Sequence, residues 1–310
     1  KNVFAVAEGL VKKEDSDAYR REYEDFRTTF VNHLHRITAK TGGYIPPGLD
    51  SLGGQDWGNM LSVYPEIILD PHDPMVTATL NATRAKYQEG VMTYGDGRWL
   101  HHYLTIKNTD TEVIRGDEEM AIGEFYALLM HTSATHAGFE FAILPWSTRD
   151  FGMNLSPHGW FAAKFRALLR NMMVREQERQ LHLLSCLSPE WIKDGATISV
   201  RRAPTYFGLV DMQLQWKPGK ATLRLNNKFT ENPDELVLHL PWFMDVHSLT
   251  ADGKTITPKQ SATSIPIGTN TVEINWTRKQ GVQPLSYEKA VIDYKKEYRR
   301  RYEEFLSKGK

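Results

Sequence analysis

The spacing of apolar residues changes once in the middle of this chain, and that change limits what it can fold into. Up to about residue 174 they recur every three or four positions, as on one face of a helix. From about 181 to 276 they alternate, as on one face of a sheet. After residue 286 the helical spacing returns. The pattern predicts helices, then strands, then one more helix.

The first predicted helix covers 14–40, with Tyr19, Tyr23, Phe26, Phe30, Leu34 and Ile37 on one stripe, and Gly42-Gly43 stops it. A second begins near Asp56 and carries Trp57, Met60, Leu61 and Tyr64. Asp73-Pro74 reads as an N-cap followed by proline in the first turn of a third. A fourth holds Trp99, Leu100, Tyr103 and Leu104, and a fifth starts at Asp117. A sixth opens at Ser156-Pro157 and runs through Trp160, Phe161, Phe165, Leu168 and Met172. The loops between them, above all 42–55, 92–98 and 134–155, are longer or richer in Trp, His, Asp and Arg than simple connections need. Strands follow at 211–216, 221–225, 235–240 and 271–276, with turn signals at Pro218-Gly219 and Asp252-Gly253. Such spacing reads as an antiparallel β-sandwich. The tail, 286–306, places Val291, Tyr294, Tyr298, Tyr302 and Phe305 on one helical stripe.

The chain has 310 residues, enough for about two domains. The expected units are a helical portion at 1–178, a β-sandwich at 179–285 and a C-terminal amphipathic helix at 286–310. Lys and Arg total 38, matched by 38 Asp and Glu, so charge gives no reason to expect nucleic acid or a membrane surface as partner. One cysteine, Cys186, excludes an internal disulfide framework and a four-cysteine zinc site. No apolar run of about 18 residues occurs. Opening at Lys1 rather than Met fits a processed or partial chain. No nucleotide-binding glycine motif or nucleophile elbow is found, and no cofactor or metal is expected. Aromatic residues are abundant, with 8 Trp, 13 Tyr and 13 Phe. That suits either large cores or a cleft that stacks sugar rings.

Four stretches carry the candidate chemistry. Asp56 beside Trp57 is either a helix cap or a carboxylic acid kept protonated by an apolar neighbour. His72 lies between Asp70 and Asp73, in a turn that either caps a helix or handles protons. Arg98-Trp99-Leu100-His101-His102-Tyr103 offers His102 as a hydrogen-bonding partner for hydroxyls. The fourth stretch is the richest: Gly138-Phe139-Glu140-Phe141, then Trp146, Arg149 and Asp150, then Leu155-Ser156-Pro157-His158-Gly159-Trp160. A carboxylate between two phenylalanines is costly unless solvated, paired or used, and Arg149 is its candidate ion-pair partner.

This order of acidic aromatic loop, Gly/Asn-bearing turn and Leu-Ser-Pro-His-Gly-Trp helix start resembles the last hairpin of six-hairpin (α/α)6-barrel glycoside hydrolases, nearest to the α-L-rhamnosidase group. The resemblance covers about 41–175. It implies a multidomain α + β fold, with a partial α/α toroid of helical hairpins followed by an antiparallel β-sandwich and a C-terminal helix. It implies an inverting mechanism with Glu140 as general base and His158 at the helix start. Phe139 stands where that group has Trp, Ser156-Pro157-His158 replaces its Asn-His, and its general-acid motif does not occur in these 310 residues. A closed toroid has twelve helices and six are counted here, so a second chain or an N-terminal half is expected to complete the barrel. The family relation implies a secreted or periplasmic setting.

An inverting glycosidase needs two carboxyl groups about 6.5–9.5 Å apart. The expected pair is Glu140 as base and Asp56 as acid. Trp57, His72, His102, Trp146, Arg149 and His158 are expected to bind an oligo- or polysaccharide. Two other readings stay open: a polysaccharide lyase using Tyr103, His101 and Arg149, and a non-catalytic carbohydrate-binding or assembly subunit.

Overall fold

The structure is a computed structural model that describes residues 13–50, 52–94, 97, 99–140 and 155–308. Six α-helices occur among them: α1 (Lys13–Thr38), α2 (Pro74–Arg84), α3 (His102–Arg115), α4 (Glu118–Met130), α5 (Gly159–Met173) and α6 (Tyr287–Lys308). Local chemistry explains their ends. α1 carries Glu14 and Asp15 in its first turn and His35 and Arg36 in its last, which complements the helix dipole. At α2, the Asp73 carboxylate accepts the Met75 N–H at 2.7 Å and Pro74 stands in the first turn. α3 stops at Gly116, whose φ of 79° is left-handed.

Two helical expectations change. The helix predicted from Asp56 is one 3-10 turn, Asn59–Ser62, because Gly58 and Pro65 leave too few residues for a lasting α-helix. Trp99 and Leu100 are not helical. They form β2 (Trp99–Leu100), paired with β1 (Thr93–Tyr94), and α3 starts only at His102. The Asp96-Gly97 pair between those strands is a hairpin signal.

α5 runs directly into β3 (Val174–Gln177), which pairs with β4 (Gln180–Leu183). The strands that follow are β5 (Thr197–Thr205), β6 (Gly208–Lys217), β7 (Lys220–Leu225), β8 (Lys228–Phe229) and β9 (Glu235–His239). Then come β10 (Met244–Ala251), β11 (Lys254–Ile256), β12 (Ala262–Ile265) and β13 (Thr271–Arg278). The larger sheet has the order β11-β10-β13-β7-β6-β5, with β8 added beside β6, and is antiparallel throughout. The smaller sheet, β12-β9-β4-β3, contains one parallel pair, β4 with β9.

Alternation along β6 sends Met212, Leu214 and Trp216 inward, where they join Leu223 of β7 and Ile274 of β13. One core runs from there through Leu181, Leu183 and Leu236 of the small sheet into Ile122, Phe125 and Leu128 of α4 and Leu168 and Met172 of α5. Each such side chain contributes roughly 1.5–3 kcal/mol of transfer free energy. A second cluster, with Leu34, Met60, Val63, Val76 and Leu80, joins α1 to α2. α6 lies along α4: Tyr287 is 6.4 Å from Tyr126, and Tyr294 meets the His131 ring edge-on at 6.0 Å. Among the described residues, no helix is long and apolar enough to cross a membrane.

Candidate functional site

The N-terminal ends of α3 and α5 lie side by side, and the side chains there form a row of rings. Trp57 lies 5.6 Å from Tyr94, Tyr94 lies 5.7 Å from His101, and His101 lies 4.8 Å from Tyr103. Tyr103 is 5.1 Å from His158, and His158 is 6.0 Å from Trp160. The two ends face solvent, with Trp57 46% and Trp160 68% exposed. The elements fix the row. The β1–β2 hairpin supplies Tyr94. The His101 N–H donates to Met92 O at 2.8 Å, which ties the hairpin to the start of α3. The Lys107 ammonium donates to the carbonyl of Trp57.

Glu140 joins this row at Tyr103. Burial and the Glu140 charge both raise the Tyr103 phenol, in that order, which puts the carboxylate within electrostatic reach of the ring. The chain on either side is pinned. Glu140 N–H donates to Leu155 O and His158 N–H donates to Gly138 O, both at 3.0 Å. Gly138 is required there, since a Cβ would lie 2.1 Å from the Phe161 ring. The Phe139 N–H donates to His102 Nε2 at 3.2 Å.

That last bond gives His102 a role other than the expected one. Its ring is fully buried between Phe139 and Phe161, and burial pulls its pKa down to about 3. It is therefore neutral, with Nε2 accepting and the proton on Nδ1. It positions the Glu140 loop and has no exposed face to offer a hydroxyl. His101 is likewise held neutral, near 4, by burial and then by His158 and Lys107.

Asp56, the chain neighbour of Trp57, is buried, and both of its oxygens are engaged. Lys86 Nζ donates at 2.7 Å and Asn59 Nδ2 at 3.1 Å. It caps no α-helix. His72 is exposed and its backbone N–H donates to Asp70 Oδ1 at 2.7 Å, so the turn serves α2. It lies away from the row. Arg115, at the far end of α3, donates to Pro71 O, and the 14 residues of α3 span about 20 Å. Trp146 and Arg149 lie outside the described residues. The structure thus brings Trp57 and His158 into one row with the Glu140 loop at its middle, ties Asp56 to Lys86 and Asn59, and leaves His72 apart. Sequence reasoning missed Tyr94 and Lys107 as members. The Asp-Gly signal next to Tyr94 was available; nothing local marks Lys107, whose contact is 50 residues away.

Among the described residues no group of three His, Cys, Asp or Glu side chains could hold a metal ion. The arrangement is one of edge-on and tilted rings, with neutral imidazoles at His101 and His102 and the Glu140 carboxylate nearby. It suits stacking on C–H faces and hydrogen bonding to hydroxyls, with one group able to accept a proton.

No family model matches the chain, and no curated protein matches it. Among solved structures, the chain is similar to the α-L-rhamnosidase from Dictyoglumus thermophilum, with a TM-score of 0.53 and 14% identity over 90% of this chain. The likeness is one of fold: a partial toroid of helices followed by antiparallel sheets and a C-terminal helix. The chain spans 30% of the length of that rhamnosidase. A GH127 β-arabinofuranosidase gives a TM-score of 0.33 and 11% identity, over 57% of this chain and 32% of that one.

Proposed function

We propose that this chain is a glycoside hydrolase, or part of one, that cleaves a glycosidic bond in an oligo- or polysaccharide with inversion. The observation that carries this reading is the Glu140 loop, pinned at the start of α5 with its charge acting on Tyr103, at a row of six rings whose two ends face solvent. Trp57 and Trp160 offer the sugar platforms, and His158 hydrogen-bonds a hydroxyl. Glu140 is the general base that takes a proton from water. The proposed division is a toroid portion at 1–178, a sandwich at 179–285 and a C-terminal helix at 286–310.

Asp56 is the acid candidate within this chain. To act on a substrate, it must give up the Lys86 ammonium that occupies its Oδ2 at 2.7 Å. The other source of the acid is the remainder of a rhamnosidase-length enzyme, on a second chain or a preceding half. Where the acid lies there, this chain alone binds glycans without cleaving them.

The test combines turnover and binding. Glu140→Gln is expected to lower hydrolysis of an aryl glycoside by about 10²–10⁴-fold while tryptophan fluorescence still reports glycan binding. Unchanged turnover removes Glu140 from the mechanism. Product absorbance from an unsaturated uronide identifies a lyase instead. Binding without turnover in every assembled form leaves the binding-subunit reading.

A further inference from the structure

A cleft of about 640 Å³ lies between the helical part and the edge strand of the small sheet. Tyr64, Ile67 and Ile114 line it on one side, Arg175 and Gln177 of β3 on the other, and Tyr206 closes one end. Its volume falls in the range of small-molecule sites, which favour such junctions between structural layers.

Arg175 is the anomaly in this wall. It is 3% exposed, and a buried guanidinium ordinarily has a carboxylate to balance it. Among the described residues Arg175 has none. Nε donates to Ser185 Oγ at 2.9 Å, Nη1 to Gln177 Oε1 at 2.7 Å and Nη2 to His182 Nδ1 at 3.2 Å. These neutral acceptors take three of the five N–H groups and none of the charge. Burial lowers the pKa of Arg175 to about 10, so it stays a cation at neutral pH. The acids on the walls are committed elsewhere. Glu176 is gripped by both terminal nitrogens of Arg170 and accepts the Tyr206 N–H at 3.1 Å. Glu231 pairs with Arg179 at 2.9 Å, and Glu66 and Glu178 have partners of their own. The strand places the cation. Arg175, Gln177 and His182 share one face of the small sheet, while Val174, Leu181 and Leu183 enter the core on the other.

A charged guanidinium with spare donors and no carboxylate, in the wall of a cleft that also holds tyrosine rings, is the chemistry that recognises an oxyanion on a compact body. We propose that this cleft binds a monosaccharide acid, with its carboxylate on Arg175 and its ring against Tyr206. Carboxylate and guanidinium are both already charged at pH 7, so binding moves no proton. The ligand supplies the negative charge that the wall itself does not spare for Arg175.

Titration calorimetry of the full chain at pH 7 with D-glucuronate, D-glucose and inorganic phosphate tests this. Glucuronate is expected to bind at least about ten-fold tighter than either of the others, a difference of about 1.4 kcal/mol. Arg175→Gln is expected to erase the preference for glucuronate over glucose. Tyr206→Ala, at an exposed ring, is expected to weaken glucuronate binding about three-fold or more. Ile67→Trp fills the cleft from the helical side with Arg175 left in place. It is expected to abolish binding while circular dichroism stays unchanged, and it decides the question if Arg175→Gln does not fold. The proposal is overturned by glucose or phosphate binding as tightly as glucuronate, by a folded Arg175→Gln that keeps the preference, by unaffected binding in Ile67→Trp, or by no binding to the wild type. The outcome is separate from that for the ring row, since Ile114 stands at the end of α3 opposite Tyr103. Glu140→Gln is expected to leave glucuronate binding intact.

Discussion

The helices bury acids, while the small sheet buries bases. Asp110, Glu112, Glu118 and Glu124 are all nearly inaccessible on α3 and α4, and burial is the first cause of the raised pKa of each. Arg175, His182 and His239 sit on β3, β4 and β9, and burial again comes first, pulling them down to about 10, 2 and 3. The compensation differs. In the helices, Arg84 reaches both Glu112 and Glu124, and the two carboxyls bond each other, with Glu112 keeping the proton. In the sheet the partners are neutral. Arg175 donates to Ser185 Oγ, Gln177 Oε1 and His182 Nδ1, and His239 Nε2 lies 2.9 Å from the same His182 nitrogen. His182 Nδ1 must accept from both, which fixes His182 and His239 as neutral rings protonated on Nε2. One physical cost is therefore met by charge in one region and by tautomer choice in the other.

The largest expected effect tests that difference. Arg84→Met leaves two buried carboxyls without a cation and is expected to cost about 3–5 kcal/mol in urea unfolding. Arg175→Met removes donors from neutral partners and is expected to cost about 1–3 kcal/mol. Equal losses would show that the two regions are not compensated differently.

The pH dependence follows with opposite signs. Glu118 rises from 4.5 to about 8 on folding and Asp110 from 3.8 to about 7. The folded state holds more protons between those values, so their contribution is full below about pH 4 and is lost as pH climbs through 7 and 8. The histidines fall from 6.5 to between about 2 and 4. The unfolded state holds more protons there, so their contribution is full above 6.5 and is lost on acidification. Each group alters stability by up to about 1.4 kcal/mol per pH unit inside its window. Unfolding free energies measured from pH 4 to 9 should lose part of their alkaline slope in Asp110→Asn and part of their acid slope in His239→Asn. If the slopes do not separate in this way, the acid–base contrast is wrong.

The smallest effects come from two glycines. Gly208, the first residue of β6, has φ of 122°, and a Cβ would lie 2.3 Å from Lys228 O. Gly208→Ala is expected to destabilise by about 1–3 kcal/mol. Gly123→Ala, in α4, is expected to stabilise by about 1 kcal/mol in thermal melts. A loss at Gly123 would mean that the open space around that position is filled in solution.

Much of the architecture was legible along the chain. The stripe from Tyr19 to Ile37 gave α1 to within two residues, Asp73-Pro74 gave the start of α2, and alternation from Met212 to Trp216 gave β6. The tail expected at 286–306 is α6. These features are legible because each rests on neighbours within four positions. The parallel pairing of β4 with β9 was not legible, since about 50 residues separate the strands. The site was legible only in part. Glu140, Trp57 and His158 stood out by residue type and context. His102 stood out too, but as a binding group, because nothing nearby in sequence shows that Phe139 and Phe161 close over it.

The sequence alone determined the order of helices and strands, where several of them start and stop, and which faces are apolar, because periods of 3.6 and 2 are properties of the local backbone. The tertiary structure decided which groups face one another: Asp56 with Lys86, Glu112 with Glu124, and the rings from Trp57 to Trp160. Those pairings depend on how far burial removes each group from water and on which partner reaches it there, and both are set by elements distant in the chain.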